Sequence, residues 1–108
     1  MKSYDIVIGR TGESLTGKLL DRAFTIRTSL GTITAPTRTI QWIHFKRPPQ
    51  MPTDELWLHN GDHLTGVLAG SAVRFKPLDG ATLEIPYRAI HTIIVNQTMN
   101  PNGPRLIG

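Results

Sequence analysis

Cysteine is absent from this chain of 108 residues. That excludes a disulfide framework, a thiolate metal site and a cysteine nucleophile. Aromatic residues are scarce, with two Trp, two Tyr and three Phe, so any that fall outside a core pattern carry information. No apolar run approaches the ~18 to 20 residues of a membrane-spanning helix. The opening MKSYDIVIGR meets Asp5 without the long apolar stretch of a signal peptide. The expectation is a cytoplasmic protein with no membrane partner. Acidic charge is thin in the first half: up to Gln50 eight basic residues stand against three acidic ones, and from Met51 four against five. The net charge of +4 therefore belongs to the first half. Such asymmetry suits anion binding there, or a basic face meeting an acidic one in an assembly.

What is present is a duplication. Residues 10–17, RTGESLTG, return as residues 59–66, HNGDHLTG. Around them the same order repeats: an alternating strand (Ile6 and Ile8; Leu56 and Leu58), a glycine turn (Gly12; Gly61), LTG, a strand (Phe24 and Ile26; Val73 and Phe75), a turn near Gly31 and Gly80, and a final strand. The closing segments agree best. Ile33, Ala35, Pro36, Arg38, Ile40, Ile43 and Phe45 match Leu83, Ile85, Pro86, Arg88, Ile90, Ile93 and Val95, each 50 positions later. Period-two alternation, β-branched residues and spaced glycine turns predict strands throughout. The fold class is all-β. The units are residues 1–45 and 54–95, with a proline-rich linker at 46–53 and an irregular tail at 96–108. Each unit has about five short strands in roughly 40 residues, too few to be comfortably stable alone. They are expected to pack together, as two barrels or one merged body, or to oligomerise. APTRTI and IPYRAI predict a tight 3₁₀ turn before each last strand, since proline cannot join a central ladder.

In its LxLxxGDxLTGxL opening and GxLxIPxxxI close, the chain resembles the broad family of small five-stranded barrels, SH3-like and Sm-like. The likeness spans nearly all of both units and implies two tandem five-stranded SH3-like/Sm-like small β-barrel repeats packed together. Sm-like proteins bind RNA through an aspartate-and-asparagine loop after the second strand and an arginine-glycine turn before the last. Asp21 and Arg22, then Gly70 and Ser71, fall at the first position, and Arg38 and Arg88 at the second. No asparagine follows Asp21, the second unit lacks the aspartate, and neither arginine precedes a glycine.

Several clusters invite chemistry. His59, Asp62 and His63 are metal-ligand types, yet the first copy of the turn keeps its shape and loses both histidines, so the turn belongs to the fold. No metal or other cofactor is expected. No nucleophile and base recur at a recognisable spacing, no phosphate loop precedes a helix, and Asp54 and Glu55 read as solvated strand-opening residues. The expectation is a non-enzyme with no evident small-molecule substrate. His44 and His91 read as surface histidines. The informative apolar residues are those on the wrong face. If Ile43, Leu56 and Leu58 point inward, Trp42 and Trp57 point outward, joined by Ile94 and, on the first strand, Val7. Because first and last strands adjoin in such barrels, Val7 with Trp42 and Trp57 with Ile94 are expected to form an outward strip in each unit, an interface for self-association or a protein partner. The alternative is nucleic-acid binding, with Arg10, Lys18, Arg22, Arg27, Arg38, Lys46 and Arg47 contacting phosphates and Trp42 free to stack.

Overall fold

A computed structural model describes residues 4–97. The rest of the tail, 98–108, lies outside the described residues. The first unit gives β1 (Asp5–Gly9), β2 (Ser14–Leu19), β3 (Ala23–Thr28), β4 (Gly31–Pro36), a 3₁₀ turn (Thr37–Thr39) and β5 (Ile40–His44). The second gives β6 (Asp54–Leu58), β7 (His63–Leu68), β8 (Ala72–Pro77), β9 (Leu83–Pro86), a 3₁₀ turn (Tyr87–Ala89) and β10 (Ile90–Ile94). The all-β class and the 3₁₀ turns after Pro36 and Pro86 are as the sequence predicts. β5 and β6 pair directly, and the linker between them holds an Arg47↔Met51 bridge and a cis Pro48–Pro49 peptide.

The partnerships are not those of two separate units. One curled antiparallel sheet runs β4-β3-β7-β6-β5-β10-β1-β2-β8-β9. The order is the same from either end once each strand is replaced by its repeat equivalent. In each half, strands three, four and five of one unit flank strands one and two of the other. The crossings are β3 on β7 and β2 on β8. Gly17 and Gly66, the glycines of the two LTG segments, make them possible. A Cβ on Gly17 would stand 2.1 Å from the Lys76 carbonyl oxygen, and one on Gly66 1.9 Å from that of Arg27. Only a residue without Cβ lets the backbones approach so closely.

One core spans both units, built on Val7, Leu19, Phe24, Ile26, Ile40, Ile43, Phe45, Leu56, Val73, Phe75, Ile90 and Ile93. Two buried carboxylates hold it in register. Asp5 opens β1, where the Leu19 N–H donates to its Oδ2 (2.9 Å) and the Asn96 N–H to its Oδ1 (2.7 Å). Asp54 opens β6 and receives the Leu68 N–H on Oδ2 and the Lys46 N–H on Oδ1, both at 2.8 Å. Each carboxylate thus satisfies a strand-end amide on either side of its own strand, as a buried charge requires. Asp54 is therefore not solvated as expected: it is buried, with 4% exposure.

The same anchor corrects Val7. Ile6, Val7 and Ile8 are all apolar and β-branched, so alternation leaves their facing open. With Asp5 turned inward, Val7 two residues later turns inward too. Val7 is buried in the core, and Ile6 and Ile8 are the half-exposed pair.

Candidate functional site

Two features of the sheet carry exposed chemistry. The first is the face of the central strands that points away from the core. Register aligns Ile6 with Ile94, Ile94 with Trp42, Trp42 with Trp57, and Trp57 with His63. This row crosses five adjacent strands. A parallel row aligns Ile8, Thr92, His44 and Glu55. Exchange of strands decides the composition, because β1 adjoins β10 and β5 adjoins β6. Trp42, Trp57 and Ile94 consequently lie in one strip rather than in two, and Ile6 takes the place expected of Val7.

Trp42 keeps 38% of its surface exposed, and its indole meets that of Trp57 edge-on at 6.3 Å and 70°. Trp57 stacks flat on the His63 imidazole at 3.8 Å and 9°. His63 Nε2 lies 3.5 Å from Glu55 Oε1. In the second row His44 Nδ1 is 3.0 Å and His91 Nδ1 2.7 Å from the Thr92 hydroxyl. A hydroxyl donates once and accepts as well, so it can serve both rings. Burial holds the His44 pKa below its ordinary value; the Glu55 carboxylate opposes this, while His91, His63 and Arg47 reinforce it. His44 and His91 are thus half-buried members of the face, not merely surface residues.

The HNGDHLTG loop is a hairpin turn. Gly61 adopts φ +95°, its N–H donates to the Leu58 carbonyl, and the Leu58 N–H donates to that of Asp62. The Asp62 N–H is capped by the Asn60 side-chain oxygen at 2.9 Å. His63 leaves the turn to stack on Trp57, and among the described residues no three His, Cys, Asp or Glu side chains converge as a metal site would require.

The second feature is an open cleft of about 590 Å³ where the linker meets the loop after β7 and the second 3₁₀ turn. Arg10, Lys46 and Arg88 contribute its charge, and Phe45, Pro48, Val67 and Tyr87 its apolar wall. Arg10 Nη2 donates to the Lys46 carbonyl (2.7 Å), while its Nε is buried with no partner among the described residues. The Tyr87 ring lies 5.1 Å from Phe45, and its hydroxyl donates to the Ala69 carbonyl at 2.7 Å. Burial, with help from Asp21 and Asp54, raises the Tyr87 pKa, so the phenol stays a donor.

The sequence-derived basic set does not share one surface. Arg10 and Lys46 reach the cleft. Arg47 turns to Met51. Lys18 lies on β2 and Arg27 on β3, with five strands between them, while Arg22 precedes β3 and Arg38 lies in the first 3₁₀ turn. Arg88 and Tyr87 complete the cleft; Arg88, like Gly70 and Ser71 in the same wall, falls at a position that the Sm-like resemblance marks, whereas sequence reasoning gave Tyr87 no role. The available signal was the IPYRAI segment, whose tyrosine replaces Thr37 of the first unit. Comparison with protein-family models, curated proteins and solved structures found no match.

Proposed function

We propose that this chain is a non-catalytic binding and assembly module of two SH3-like or Sm-like units with exchanged strands, and that it self-associates through the tryptophan face. One observation carries this reading: Ile6, Ile94, Trp42 and Trp57 lie side by side on four adjacent strands, outside the core, with Trp42 substantially exposed. Contiguous apolar and aromatic surface of this kind is what interface centres are made of. Light scattering tests the proposal. Wild-type protein gives a mass that is a multiple of 12.0 kDa and holds as salt rises, and Trp57→Glu gives a folded monomer. A wild-type monomer, or an unchanged mass for Trp57→Glu, refutes the proposal.

The nucleic-acid alternative is supported by Arg10 and Lys46 meeting Arg88 at the cleft, and weakened by the separation of Lys18 from Arg27. It predicts co-purifying nucleic acid and binding that falls steeply with salt.

A further inference from the structure

The duplication supplies an internal template for the cleft. Asp5 accepts three hydrogen bonds: two from the backbone amides of Leu19 and Asn96, and a third from the Gln97 carboxamide, whose Nε2 donates to Asp5 Oδ2 (2.9 Å) and also to the Leu19 carbonyl (3.0 Å). The equivalents 49 or 50 positions away are Asp54, Leu68, Lys46 and Arg47. Asp54 keeps the two backbone bonds. Arg47 stands where Gln97 does, but its side chain turns to the Met51 sulfur (3.4 Å). Among the described residues no side chain donates to Asp54 Oδ2 or to the Leu68 carbonyl. Both residues line the cleft, and Asp54 retains 4% exposure against 1% for Asp5.

We propose that the cleft binds an acidic peptide segment by taking up a glutamine or asparagine carboxamide. Its NH₂ group donates to Asp54 Oδ2 and the Leu68 carbonyl, as Gln97 does within the chain. The stem of that side chain lies along Phe45 and Tyr87. Carboxylates flanking it meet Arg10, Lys46 and Arg88, which outnumber the one acid in the wall. Charge-assisted donation to a carboxylate in a partly desolvated site is among the stronger hydrogen bonds, and a ligand lacking the NH₂ leaves that acceptor unpaired. Gly70 shapes the entrance: at φ +94°, a Cβ would come 2.9 Å from the Tyr87 hydroxyl.

The probe is acetyl-Asp-Glu-Gln-Glu-Asp-amide, titrated to millimolar concentration into ¹⁵N-labelled full-length chain. Shifts should concentrate on the amides of Leu68, Ala69, Gly70, Ser71 and Arg88. Replacing the central Gln by Leu should weaken binding about tenfold, the cost of one charge-assisted hydrogen bond. Arg47→Gln gives the chain its own carboxamide at the template position; it should reduce peptide affinity about tenfold or more without lowering the melting temperature. Absence of shifts, shifts dispersed elsewhere, equal binding of the Leu peptide, or full affinity in a folded Arg47→Gln protein overturns the proposal. So does a short RNA that produces the cleft shifts when the peptide does not. Because the cleft is separate from the tryptophan strip, Arg47→Gln leaves the mass in solution unchanged, so this proposal and self-association fail independently.

Discussion

Gly66→Ala isolates the strand crossing on which the exchanged sheet depends. A Cβ there falls 1.9 Å from the Arg27 carbonyl oxygen and 2.8 Å from its carbon. Carbon–oxygen contacts of this kind settle near 3.3 Å, so the backbones must part by about 1.4 Å. Both clashing atoms are main chain, and no side chain can swing aside. The strain falls on a short junction, since β3 and β7 align only at Ile26↔Leu68 and Arg27↔Val67. Overpacking costs about 1–3 kcal/mol, and losing roughly two ladder hydrogen bonds adds about 1 kcal/mol each. The sum is on the order of 3–5 kcal/mol. For a domain of this size, that corresponds to a fall in Tm of at least about 12 °C. Gly61→Ala is the control: its φ is +95°, nothing lies within 4 Å of the new Cβ, and only the left-handed backbone conformation is penalised, by about 1–2 kcal/mol. Urea unfolding followed by tryptophan fluorescence measures both. If Gly66→Ala lies within about 0.5 kcal/mol of wild type, or is no worse than Gly61→Ala, the close-approach argument is wrong.

Asp54→Asn should destabilise by about 1–3 kcal/mol, because the amide nitrogen must face either the Lys46 or the Leu68 N–H and leave a buried donor unpaired. Equilibrium unfolding checks this, and a neutral result would show that water reaches the site. The lowered His44 pKa sets a pH dependence. The unfolded chain binds that proton more tightly than the native protein, so stability is retained above the ordinary imidazole value of about 6.5 and is lost as pH falls from there through the lowered native value. Melting temperature should therefore drop on acidification from neutral, and His44→Gln should flatten the slope. Equal slopes for variant and wild type would remove His44 as the cause.

Local patterning made much of the architecture legible. Alternation, turn glycines and the two proline-led 3₁₀ turns follow from steric rules acting over a few residues, so about five short strands in each unit and their repeat order could be read. The recurrence of HNGDHLTG as RTGESLTG revealed the hairpin turn for the same reason. LTG was visible as a repeat, but its purpose was not: the atoms that demand glycine belong to Lys76 and Arg27, remote in sequence.

Sequence by itself determined which residues form strands, where the chain turns and that Trp42 and Trp57 face away from the core. Tertiary structure alone decided which copy supplies each neighbouring strand, because both copies present equivalent patterns and pair equally well by local criteria. That choice joined Ile6, Ile94 and the tryptophans into one strip. It also fixed the facing of β1, where three consecutive β-branched residues are ambiguous until the Asp5 carboxylate finds the Leu19 and Asn96 amides. The cleft is tertiary for the same reason: Arg47 and Gln97 are equivalent in the repeat, and only their packing shows that one side chain satisfies its aspartate while the other turns aside.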